Sequence, residues 1–264
     1  TLDYAQSLYE KKLITYPRTD SRFLTEDMET MLPDMVEKLF SMFPAEDIKH
    51  IPIHAKQVIN GKKVTDHHAI LPTKEVGNHH LSELPKGEQE VLNLIVTRLF
   101  SAVGDPYCYA ETVIEAICED TVFSAKGKTK LQDGWKVFEK RQESTKVEKE
   151  LPLLLINDVL EISSVEIKEG KTSPPKHYTE DTLLQSMENA GADEMPDAER
   201  KGLGTPATRA GIIEKLVRIG FLERKGDKKT KYLIPTHKGT ALVTVMPEQI
   251  QSPSMTADWE EKLL

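Results

Sequence analysis

Apolar residues recur at helical spacing through the first hundred positions, alternate like strands after Gly104, and return to helical spacing beyond Thr179. Leu2, Ala5, Leu8, Tyr9 and Leu13 fall on one face and predict an opening helix that reaches Leu13. Thr25 followed by Glu26 and Asp27 has the chemistry of a helix start, a hydroxyl for free amides and acids beside the positive dipole end. That predicted helix continues through Met35, Val36 and Leu39. Phe43 to Thr73 carries Pro and His without a period and predicts irregular chain. Lys86 to Val103 gives a strongly periodic helix with Val91, Leu94, Ile95, Leu99 and Val103 on its apolar face. Alternation then predicts strands over 107–117, 121–125, 135–138 and 158–167, with Lys126-Gly127-Lys128 and Asp133-Gly134 as turns.

Lys171 to Pro175 reads as a linker. Thr179 to Thr182 caps a helix ending near Asn189, with Gly191 beyond it. Thr205 is the expected cap of the next helix and Pro206 occupies its favoured first position. Ile212, Ile213, Leu216 and Ile219 mark its buried face, and Gly220 ends it. Phe221 to Lys225 and Lys231 to Ile234 form a hairpin about Gly226-Asp227. The fold class is therefore multi-domain α+β. A helical domain spans 1–103, a β-rich segment 104–172, and a helical, winged-helix-like domain 173–264. The chain shows neither an internal repeat nor a low-complexity tract.

Composition narrows the function classes. A chain of 264 residues has room for two or three domains, and 30% charge with mean hydropathy −0.44 belongs to a water-soluble protein. No apolar run approaches the roughly 20 residues needed to cross a bilayer. Cys108 and Cys118 do not form a Cys-x-x-Cys pair, which argues for a reducing compartment and against a zinc ribbon. A net charge of −8 speaks against a nucleic-acid partner, yet residues 200–231 hold ten Lys or Arg against three Asp or Glu. The chain opens on Thr in mid-helix and closes on a helical pattern, so both ends are expected to continue into a longer protein.

Three clusters carry candidate chemistry. Pro17 disfavours the α region for Tyr16, and in extended chain Tyr16 and Arg18 point to one face. A phenol has a pKa near ~10 and attacks well only with help, which an adjacent guanidinium that matches phosphate oxygens can give. An ordinary loop with a half-buried Tyr fits the same residues. Asp66-His67-His68 offers imidazole donors to a phosphate, or a capped turn. Adjacent histidines share no helix face and lack a second ligand pair at zinc spacing, so no metal site is expected. His50, His54, His79 and His80 read as surface residues. The helix-then-basic-hairpin pattern suits a DNA-binding winged helix whose first amides, Thr208 and Arg209, cradle phosphate. A protein-binding winged helix with a solvated basic face is the alternative.

Five strings, ITYPRTDSRFL, DHHAILPT, HYTEDTLLQSMENAG, LGTPATRAGIIEKLVRIGFL and MTADWEEKLL, follow the order found in type IA DNA topoisomerases, and the chain resembles the topoisomerase III branch of that family. The resemblance implies an isomerase that needs no ATP. It cuts one DNA strand through a 5′-phosphotyrosine intermediate and passes DNA through the gap, relaxing or decatenating it. Tyr16 corresponds to the nucleophile and Arg18 to the arginine on the scissile phosphate. Ser21, His67, Thr205, Thr208 and Arg209 correspond to DNA-contacting positions. Many relatives carry Arg or Lys where this chain has Ile219, so Arg218 is the substitute DNA contact. The architecture implied is a Tyr-bearing domain, part of a β arch and part of a strand-binding domain.

The family's Toprim domain, with its catalytic Glu and its Mg2+ site, is not found in these residues. Mg2+ is therefore expected for the full-length enzyme and none for this chain. Single-stranded DNA, the Toprim domain and a helicase are the implied partners, and the bacterial cytoplasm, at the nucleoid, is the implied location. The chain alone is expected to bind single-stranded DNA weakly and not to relax supercoils. A non-enzymatic winged-helix DNA-binding protein explains only residues 200–238. A tyrosine recombinase would gather Arg and His ahead of its Tyr, and little precedes Tyr16.

Overall fold

The computed structural model describes residues 1–44, 48, 50, 52–64, 66–139, 151–190, 202–252, 255 and 259. It divides into two units, Thr1–Ser164 and Val165–Leu264. The predicted domain boundary at 103/104 lies inside the first unit.

In the first unit, helix α1 covers Leu2–Glu10 and stops short of the predicted Leu13. Lys12 takes the left-handed conformation at φ 60°; its N–H donates to the Tyr9 carbonyl at 2.8 Å, and the Leu13 N–H to the Leu8 carbonyl at 2.9 Å. These two bonds form a Schellman motif, and buried Leu13 and Leu8 make its apolar contact. The chain leaves the motif extended. Ile14 pairs antiparallel with Pro72, the Thr15 N–H donates to the Leu71 carbonyl at 2.8 Å, and the Thr73 N–H to the Leu13 carbonyl at 2.9 Å. The sequence motifs that begin at Ile14 and Asp66 are thereby laced together.

The single helix expected from Thr25 is broken in two. Glu26–Met28 forms a 3₁₀ turn without a side-chain bond from Thr25, and α2 begins only at Leu32, running to Met42. Pro33 explains the break, because a residue without N–H is accommodated in a helix's first turn and not in its interior. Helix α3 covers Lys86–Val103 as expected, but its buried row is Glu88, Leu92, Val96, Leu99, Phe100 and Val103. Leu94, placed on the apolar face by sequence, is 53% exposed. Leu8, Leu13, Ile14, Leu24, Leu32, Val36 and Leu39 complete this core with α3.

Strands β1 (Cys108–Cys118) and β2 (Thr121–Gln132) form an antiparallel hairpin that turns at Glu119-Asp120. Lys126-Gly127-Lys128 is not a turn: Gly127 sits in register opposite Thr112 and β2 runs on to Gln132. Nor is 135–138 a strand. Gly134, at φ 48°, starts a 3₁₀ turn to Phe138, whose ring packs 5.7 Å from that of Phe100. A Cβ on Gly134 would lie 2.1 Å from the Pro106 carbonyl oxygen, so glycine is required. Residues 158–167 alternate as predicted but pair with no described strand, and Val159 stands 95% exposed. A period of two marks a strand only where a neighbouring strand can take its backbone hydrogen bonds.

In the second unit, α4 (Glu180–Asn189) opens with the predicted capping box between Thr179 and Thr182. Helix α5 covers Arg209–Arg218, with β3 (Leu222–Gly226) and β4 (Lys231–Pro235) following as the predicted hairpin. Gly220, at φ 79°, ends α5 in a second Schellman motif: its N–H meets the Val217 carbonyl and that of Phe221 meets Leu216. Thr236 caps α6 (His237–Val245), and α7 (Glu248–Gln251) is a single turn. Met187, Ile213 and Leu233 make a small core. Of the predicted buried face of α5 only Ile213 is buried; Ile212 and Ile219 are exposed. Gly191, the acidic loop after it and the C-terminal helical pattern beyond Trp259 lie outside the described residues.

Candidate active site around Tyr16

Tyr16 leaves the Schellman end of α1 on a short extended segment, with Pro17 buried behind it. Its half-buried ring meets two others. His67 lies with ring centroids 4.5 Å apart at 48°, and Tyr9 of α1 stands edge-on at 5.4 Å and 78°. Edge-to-face placement is the favoured geometry for aromatic pairs, and together the two neighbours restrict the phenol's rotation. Arg18 and His67 are exposed.

Short hydroxyl side chains hold this loop. Thr15 Oγ1 accepts from the Leu71 N–H at 2.9 Å, and Thr19 Oγ1 donates to the His67 carbonyl at 2.8 Å. Ser21 Oγ accepts from the Phe23 N–H and reaches the carbonyls of Phe23 and Lys63, each at 3.1 Å. Thr73 Oγ1 donates to the Lys12 carbonyl beneath the Schellman turn. The Ser21 hydroxyl, which sequence assigned to DNA, is thus occupied by main chain. Tyr9, Thr15 and Thr19, none of them singled out from sequence as a site residue, also pack or hydrogen-bond in this cluster, and Thr15 and Thr19 flank Tyr16 and Arg18 in sequence.

Under the site, Glu88 of α3 is 5% exposed and accepts from Ser7 Oγ at 2.9 Å and Lys11 Nζ at 2.5 Å. Burial pushes its carboxyl up, but the bonds from Lys11 and Ser7 and the Lys11 charge outweigh that and hold its pKa below the ordinary glutamate value. Ser7 on α1 and Lys11 just past its end flank Tyr9, so this pair sets the helix that carries the Tyr9 ring. His54, read from sequence as context-free, meets Asp105 at 2.7 Å, and Gln57 donates to the carbonyls of Ala102 and Gly104 at the end of α3.

The second unit holds the other candidates. Arg209 is 8% exposed; its Nε donates to the Leu203 carbonyl at 3.1 Å and its Nη2 to the Gly204 carbonyl at 3.2 Å. The guanidinium thus stitches the loop ahead of α5. Thr208, not Thr205, is the residue at the helix boundary. Its Oγ1 accepts from the Thr205 N–H at 2.8 Å, while the Arg209 N–H already donates to the Thr205 carbonyl at 3.0 Å. Thr205, Thr208 and Arg218 are exposed or nearly so. Arg224 is held at 2.6 Å by both Glu180 and Glu214, and the hydrogen bond from Arg224 keeps the Glu214 carboxyl below its usual range. Asp227 accepts from the N–H groups of Lys229 and Thr230, which lower its pKa and shape the hairpin tip.

The sequence matches the family model described as DNA topoisomerase over residues 1–264. The chain belongs to the type IA DNA topoisomerase family. Proteins named DNA topoisomerase 3 from Bacillus licheniformis and Bacillus subtilis are 39% and 38% identical to it. Both alignments cover all of this chain and 38% of the relative. A solved full-length topoisomerase I from Thermotoga maritima shares the fold with a TM-score of 0.60 at 23% identity, over 99% of this chain and 41% of that one. The mixed α+β architecture is therefore that of this family, and the match is not confined to residues 200–238, the part that a non-enzymatic DNA-binding protein would explain. No described helix is long and apolar enough to cross a membrane.

Proposed function

We propose that this chain contributes the nucleophile and part of the strand-binding surface of an enzyme that cuts and rejoins one DNA strand. The Tyr16 phenolic oxygen attacks a backbone phosphorus and loses its proton. The phosphorus–O3′ bond breaks, the 3′ oxygen leaves and takes up a proton, and the phosphate remains esterified to Tyr16 through its 5′ side. Attack by the 3′ hydroxyl reverses each step, so the ester conserves the energy for resealing and no nucleotide is hydrolysed. Arg18 meets the phosphate oxygens and their transition-state charge with paired donors. His67, packed against the phenol ring, meets the same phosphate.

In the second unit Thr205, Thr208 and Arg218 contact the strand from a winged-helix-like surface, while Arg209 holds the loop that presents them. Ser21 acts in the same indirect way. Mg2+, which the family implies, has no fitting ligand set here: among the described residues no group of three or more His, Cys, Asp or Glu is placed to hold a metal. The proton donor for the 3′ oxygen belongs to a Toprim domain, and the chain alone acts as a single-stranded DNA-binding partial site.

The observation that carries this reading is the Tyr16 ring held between His67 and Tyr9, on two segments laced by main-chain hydrogen bonds. In the full-length protein, Tyr16→Phe is expected to abolish the covalent protein–DNA adduct trapped by denaturant. Salt-sensitive binding of single-stranded DNA should persist. An adduct that survives the substitution would refute the assignment.

A further inference from the structure

Phe23 lies seven residues beyond Tyr16 and is fixed unlike any other aromatic of the loop. Its N–H donates to Ser21 Oγ at 3.1 Å, and its carbonyl accepts from the Ala69 N–H at 2.9 Å. The ring is half-buried but, among the described residues, stands outside the apolar core of its unit. Core packing therefore does not account for an aromatic side chain at this place. Lys63 Nζ sits over the ring, 5.0 Å from its centroid. The Lys63 backbone is anchored as well: its carbonyl takes the Ser21 hydroxyl, and its 3₁₀ turn is pinned by the Gly61 N–H on Glu26 Oε1 at 3.0 Å. Arg22, Lys62 and Lys63 are exposed around it.

The Phe23 backbone is also tied to the segment that holds the residue before the nucleophile. Ala69 binds Phe23, and Leu71, two residues on in the same extended segment, binds Thr15 beside Tyr16. Two residues of extended chain span about 7 Å. A pinned aromatic ring, flanked by cations and off the core, is the arrangement that binds single-stranded nucleic acid by stacking plus phosphate contact.

We propose that Phe23 and Lys63 form a nucleobase subsite beside Tyr16, in which one base stacks on the Phe23 ring while Lys63 and Arg22 meet the neighbouring phosphate. This rests on the reading of the chain as a strand-cleaving enzyme and adds a base position to it. Stacking accepts any base, so the subsite sets where the strand lies relative to Tyr16 and not which sequence is cut.

The test uses the full-length protein and an oligothymidylate in which a single abasic position is walked along the strand. Binding is read by fluorescence anisotropy and cleavage position by the trapped adduct. In the unsubstituted protein one abasic position should weaken binding about tenfold. Phe23→Leu should weaken binding of the intact strand by a similar factor and erase that positional penalty, while Phe23→Trp retains it. Lys63→Ala should reduce the slope of log K against log salt by about 0.7, one phosphate contact on a single strand. An unchanged affinity in Phe23→Leu with an unchanged melting temperature, or a positional penalty that persists in it, overturns the subsite. Tyr16→Phe run alongside separates the two readings, because adduct loss there upholds the nucleophile whatever Phe23 does.

Discussion

Replacing Glu88 tests whether the α1–α3 contact under Tyr9 is held by charge. The carboxylate is 5% exposed and takes one hydrogen bond from Ser7 and one from Lys11. Hydrogen bonds to a charged group contribute about 1.5–3 kcal/mol each. The Lys11 side chain is 36% exposed and regains water when its partner is removed, so its share is discounted. Glu88→Ala is therefore expected to cost about 3 kcal/mol, and Glu88→Gln, which keeps the shape and one acceptor, about 1–2 kcal/mol. The folded pKa lies below the ordinary glutamate value. The stabilisation is then fully present above the ordinary glutamate pKa and is lost as pH falls through the lower folded value, so the gap between wild type and Glu88→Gln should narrow as the solution is acidified. Urea unfolding followed at Trp135, in a Trp259→Phe background, reports this unit. With a slope of about 2 kcal/mol per molar, Glu88→Ala should move the midpoint by about 1.5 M. A midpoint shift below about 0.3 M for Glu88→Ala would show that apolar packing alone holds α1 on α3, and a gap to Glu88→Gln that does not narrow on acidification would show that the carboxylate's charge is not what stabilises the contact.

Substitutions at two further positions have defined outcomes. Lys12 occupies a left-handed position at φ 60° that costs a side-chain-bearing residue roughly 1 kcal/mol, so Lys12→Gly should raise stability by about 0.5–1 kcal/mol and Lys12→Val should lower it, read by the same urea midpoint. Arg209→Lys cannot serve both the Leu203 and Gly204 carbonyls as the guanidinium fork does, at an expected cost of about 1–2 kcal/mol. Hydrogen exchange at the Leu203 amide, which donates to the Met187 carbonyl, should then quicken about tenfold; unchanged protection would return Arg209 to the role of a direct phosphate contact.

Local signals were legible where local chemistry decides the outcome. The Thr179 capping box, the Gly220 stop and the hairpin between Lys225 and Lys231 are settled within four or five residues, and all three appear where the sequence places them. The failures share a cause. Leu94 and Ile219 fit a helical period yet face solvent, Lys126-Gly127-Lys128 carries turn residues yet stays in β2, and 158–167 alternates without a described partner. Each was judged by its own pattern, while its state depends on what lies across from it. Lys12 is the reverse case: nothing about a lysine announces a left-handed residue, and the Leu8–Leu13 contact forces it there.

The site shows why its motif looks richer in chemistry than it is. Tyr-x-Arg-Thr-Asp-Ser and Asp-His-His read as a run of reactive and DNA-contacting groups. In the folded chain the run separates by where the polar atom ends. Arg18 and His67 present theirs to solvent, and the Tyr16 ring is clamped but half open. Thr15, Thr19, Ser21 and Thr73 spend their hydroxyls on the main chain of the facing segment. A hydroxyl bound to backbone fixes register without adding volume. Sequence reading cannot make that separation, because a Ser that holds a loop and a Ser that holds a phosphate are the same residue. The partner atom distinguishes them: Arg18 and His67 are exposed, while the hydroxyls of Thr19 and Ser21, with those of Thr15 and Thr73 beside the motifs, end on main chain.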